Sequence, residues 1–125
     1  MTIRTITPPL ATQYGSDTTA QFAEVQDIQF TITYKPTGPG GAIEQWVKVR
    51  IIMEVWEGGA SASEGAAPIR KDVFTYEVKP NDDAWPLTEI NWNAIRDYVY
   101  NTIIADTENP SDDPQAYSRG TVFLD

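Results

Sequence analysis

Cysteine and histidine are both missing from this chain of 125 residues. Without cysteine there are no disulfides, no thiolate nucleophile and no cysteine-ligated metal. Without histidine, Ser-His-Asp and Cys-His catalysis and histidine-ligated zinc are excluded as well. Basic residues are scarce, 9 against 18 acidic ones, for a net charge of -9. They gather only at Lys48/Arg50 and Arg70/Lys71, well short of the basic stripe that displaces counterions from a nucleic acid. No apolar run approaches the ~20 residues of a membrane helix. The N-terminal "MTIRTITPPLATQYG" also lacks the apolar core of a secretory signal. The expectation is a protein with no nucleic-acid partner and no membrane partner, made and used without export.

What is present suits a globular fold. A 41% hydrophobic fraction with 11% aromatics in a chain of this length implies a single domain, residues 1–125, with a core of its own. Thr2 to Ile6 reads as a short strand in an extended N-terminal arm, 1–19, ended by Pro8-Pro9. From Ile28 onward the even positions Ile28, Phe30, Ile32 and Tyr34 are apolar and the odd ones polar, the period-2 signature of a strand. "KPTGPGGA" interrupts it, and Pro36, Gly38 and Gly40 mark the tip of a projecting hairpin spanning 20–57. In the return strand, "IEQWVKVRIIMEVW", the odd positions from Ile43 to Val55 form the core face. A third strand, 68–79, turns Phe74, Tyr76 and Val78 inward. Pro86 then suits the first turn of a helix over 86–106, whose Trp92, Ile95, Val99 and Ile103 make one apolar stripe. A C-terminal arm, 107–125, ends in "TVFLD", a candidate closing strand. The fold class is α+β: an antiparallel β-sheet, small β-sandwich or barrel, with a long hairpin and one packed α-helix.

The even positions of the return strand pose the question. Trp46, Ile52 and Trp56 sit there among Glu44, Lys48, Arg50 and Glu54, with Val25 assigned to the same face of the facing strand. A strand of about 13 residues is ~43 Å long, whereas a compact chain of this size is about 36 Å across. The hairpin therefore curls around a barrel or projects from the body. Aromatic anchors among charges resemble a partner surface. The competing readings are a second half of a two-sided core, with charges snorkelling at its edge, and a platform that stacks a ligand.

Acidic loops at Asp82/Asp83 and at Asp106, Glu108, Asp112 and Asp113 match no calcium-binding loop spacing, and solvated loops are the commoner meaning. Asp27 or Glu54, on part-apolar strands, could serve with an outlying acid in paired acid-base work, but nothing in the sequence shows a cleft. "GPGG" lacks the lysine and the strand-to-helix setting of a phosphate loop. No catalytic residue, metal site or cofactor is assigned. The expected function is a non-enzymatic structural protein of a large assembly, most naturally a virion component of a tailed bacteriophage. Capsid decoration and a tail or neck part both fit, with Trp46, Ile52, Trp56, Val25, Pro36, Gly38 and Gly40 joining neighbouring protein subunits in a homo-oligomer or on a major capsid or tail protein. The alternative is a carbohydrate- or ligand-binding β-module that uses exposed tryptophans.

Overall fold

The computed structural model describes residues 2–4, 6, 21–56, 65–79 and 91–123. Five strands form one sheet: β1 (Thr2–Arg4), β2 (Phe22–Pro36), β3 (Ile43–Trp56), β4 (Arg70–Val78) and β5 (Thr121–Phe123). Their order is β4-β3-β2-β1-β5, and every neighbouring pair is antiparallel. Among the described residues the sheet is open and shows neither barrel closure nor a second sandwich layer. Strands from both ends of the sequence lie side by side, Ile3 opposite Val122, which makes β1 an interior strand rather than a free arm.

The long hairpin runs from Phe22 opposite Trp56 to Pro36 opposite Ile43. Its tip closes with the Thr37 N–H on the Ala42 carbonyl at 3.0 Å. Gly38 and Gly40 there hold φ angles of 144° and 73°, which side chains disfavour and glycine does not. One break interrupts the ladder, between Val25 and Asp27. Gln26 is the extra residue of a β-bulge, and it shifts the side-chain alternation of β2 by one. Ala23 and Val25 before the bulge and Ile28 to Tyr34 after it therefore share one face.

On that face lies the core. Val47, Val49, Ile51, Met53 and Val55 of β3 are buried, with Ile3, Ala23 and Phe74. The helix α1 (Trp92–Ala105) packs over them through Val99, Tyr100 and Ile103. Asn91 starts it, its side-chain oxygen accepting the Ala94 N–H at 2.9 Å, a standard N-cap bond. Residues 80–90, including the expected start at Pro86, lie outside the described residues. Trp92 is 62% exposed, contrary to its place on the expected stripe. Seven residues is close to two helical turns, so its angle matches Val99, but at the first turn it borders a cleft shared with Thr2, Glu24, Val25 and Ile28 instead of closing over the core.

Polar links close the remaining sides. Tyr76 donates to Asp106 at 2.5 Å, and buried Tyr117 donates to Asp72, whose other partner is Arg70 at 2.8 Å. The Tyr117 ring meets Phe74 edge-on, centroids 5.4 Å apart. No helix among the described residues is long and apolar enough to cross a membrane.

Candidate subunit interface

The outer face of the hairpin, away from the helix, carries both strand tryptophans. Trp56 is buried, 8% exposed. Its ring leans on Phe22, centroids 6.3 Å apart, and its Nε1–H donates to the Ala66 carbonyl at 2.9 Å. Trp46 is half-buried. The Lys35 ammonium lies 4.8 Å above its ring and continues across β3 to pair with Glu77 of β4. A second bridge, Lys79 to Glu44 at 2.7 Å, flanks it. The hydrogen bonds from these lysines hold the Glu44 and Glu77 carboxyls below their usual range. Ile52 is half-buried between Asp27 on β2 and Val73 on β4. The tryptophans are thus met largely from within the chain.

Val25 belongs to the other face. The bulge places it opposite Met53, so its assignment beside the tryptophans is corrected. Beyond the last β1 pair at Ala23, the Val25 N–H donates to the Tyr100 hydroxyl at 2.8 Å. Pro36, Gly38 and Gly40 sit at the exposed tip. There Pro36, which has no N–H, presents that missing donor to the outer edge of β2.

The exposed apolar surface is elsewhere than expected. Ile32 is 56%, Tyr34 67% and Ile43 70% exposed, although all three lie on the core-side face. The reason is length. A helix of 14 residues spans about 21 Å, while the 15 residues of β2 span about 50 Å, so the distal half of the hairpin runs out from under its cover. That mismatch was readable from the expected element lengths.

β1 pairs only with Phe22 and Ala23; among the described residues no strand pairs with β2 on that side from Gln26 to Pro36. The sequence along it, "IQFTITY", is uncharged, alternating and free of Gly and Pro, the profile of a strand that recruits another.

Asp106, Asp112 and Asp113 are engaged in structure. Asp106 accepts from the Glu108 N–H at 2.9 Å and from the Asn109 side chain at 3.0 Å; burial raises its pKa, but these bonds and Tyr76 outweigh that and lower it. Arg119 holds both Asp113 oxygens at 2.7 Å, lowering that carboxyl too. Asp112 pairs with Arg70. No cluster of three or more metal-ligating side chains occurs among the described residues, and Asp82 and Asp83 lie outside them. Comparison of the chain with protein-family models, curated proteins and solved structures gives no match.

Proposed function

We propose that this chain is a non-enzymatic structural subunit that joins protein neighbours in a large assembly. One observation carries the reading: the distal half of the hairpin exposes Ile32, Tyr34 and Ile43 on the core-side face, and among the described residues no strand pairs with β2 there opposite β3. Left alone, such an edge is an aggregation liability, and natural proteins blunt it with charge, proline or a cover. Between Ile28 and Tyr34 none of the first two is present. Strand addition from a neighbour turns the liability into a joint.

The home we propose is a tailed-bacteriophage virion, as a capsid decoration or a tail or neck protein made in the host cytoplasm. That attribution rests on general likeness to small virion proteins: a short acidic chain without cysteine or histidine, built on an over-long hairpin. The ligand-platform alternative loses ground because Trp56 is buried and Lys35 covers Trp46.

Light scattering of the purified protein over a wide concentration range tests the joining role. A defined oligomer or concentration-dependent polymer is expected. A monomer at every concentration, at low and high salt, would overturn it.

A further inference from the structure

We propose that the cleft between Trp92 and β2 binds a small carboxylate with an apolar body, the Arg96 guanidinium taking the charge and the Trp92 ring the apolar part. The site is separate from the exposed distal hairpin, and the joining role stands or falls without it.

Its place follows from the helix. Trp92 and Arg96 are four residues apart and so neighbours on one face of α1, and they meet Val25 and Ile28 of β2 around a cleft of about 220 Å³. Pockets for drug-sized ligands start at about 300 Å³, so this one suits a single ring or a short aliphatic chain. Glu24 also lines it. Along β2, however, Glu24 alternates with the core-side Ala23 and Val25, which turns its carboxylate toward the opposite face of the sheet.

The guanidinium supplies the reason for an anion. Its Nε is buried and has no hydrogen-bond partner among the described residues. The carboxylate that comes within reach of a charge pair is that of Asp97, whose Oδ1 is 3.7 Å from Nε, beyond hydrogen-bond distance; that oxygen is also buried and unpartnered. Consecutive helical residues leave the axis about 100° apart, and the pair stops short of a bond. Arg70 and Arg119, by contrast, are each hydrogen-bonded to aspartates. A buried donor without an acceptor is unfavourable, and a carboxylate entering the cleft supplies a charge-assisted one.

Trp92 supplies the apolar half. Its ring is 62% exposed although it borders Val25 and Ile28, and a ligand body filling the gap buries ring and isoleucine together. A neutral analogue leaves the guanidinium unmatched, and a dicarboxylate brings a second charge into apolar surroundings.

Hydrocinnamate, a phenyl ring on a short acid, is the probe. It is titrated into isotope-labelled protein while the Arg96 Nε–H and Trp92 indole N–H signals are followed by NMR. Both are expected to shift saturably, whereas the indole signals of Trp46 and Trp56 stay in place. R96Q is expected to weaken binding about tenfold or more, and so is replacing the acid by its amide. The amide comparison uses the parent protein and holds whatever R96Q does to the fold. N-Acetylphenylalanine, the same ring and carboxylate on a peptide end, separates the sources: tighter binding than hydrocinnamate assigns the cleft to a chain terminus, weaker binding to a free acid. No saturable shift up to about 10 mM, or equal affinity for acid and amide, overturns the site. R96Q binding as tightly as the parent overturns the role of Arg96.

Discussion

Gln26 is the residue on which the hairpin turns. By adding one position to β2 it puts Val25 on the same face as Ile28, and the Val25 N–H, beyond the last β1 pair, donates to the Tyr100 hydroxyl. Tyr100→Phe removes the acceptor and keeps the ring. The expected cost is about 1–2 kcal/mol, the usual penalty for stranding a part-buried backbone donor, read as a lower urea midpoint with unchanged slope. An unchanged midpoint would mean that another acceptor takes the N–H. The bulge was legible in outline: apolar residues occupy odd positions at Ala23 and Val25, then even ones from Ile28, with the polar pair Gln26-Asp27 between. Reading the strand in a single phase put Val25 on the wrong face. The covering of Trp56 by Ala66 was not legible, because the segment that provides it has no periodicity.

Between elements, two tyrosine-carboxylate bonds tie β4 to the chain beyond the helix: Tyr76 to Asp106 and Tyr117 to Asp72. Burial raises both tyrosine pKa values, and the adjacent carboxylate raises them further. Unfolded tyrosine ionises near pH 10. Raised folded values mean that these groups add their full stability below about pH 10, and that it drains away above it as only the unfolded chain releases the protons. The urea midpoint is expected to hold from pH 7 to 9 and fall above about pH 10, with a shallower fall in Tyr76→Phe. A midpoint level through that range would contradict the pairing. The hairpin, β4 and the helix all announced themselves by periodicity, the helix through Ile95, Val99 and Ile103. Pairing of β1 with β5 did not, because three-residue strands joined across the whole sequence leave no local pattern.

For the whole molecule, a net charge of -9 holds copies apart, and the proposed joining role has to overcome it through the exposed apolar stripe of the distal hairpin. β4 backs the hairpin as far as Val47, opposite Ile32, so among the described residues only 33–36 with 43–46 form a two-stranded ribbon. Such ribbons are marginal unless a third strand joins. If the joining role proposed above is between copies of this chain, added salt is expected to favour association by screening the general repulsion.

Hydrogen exchange at single amides, in dilute and in concentrated protein, reads that association most directly. The amides of Ile32 and Tyr34 are expected to exchange faster when dilute and to become protected as concentration rises, while those of buried Val49 and Ile51 change little. Exchange at Ile32 and Tyr34 that is equally fast at every concentration would contradict the distal hairpin as the joint.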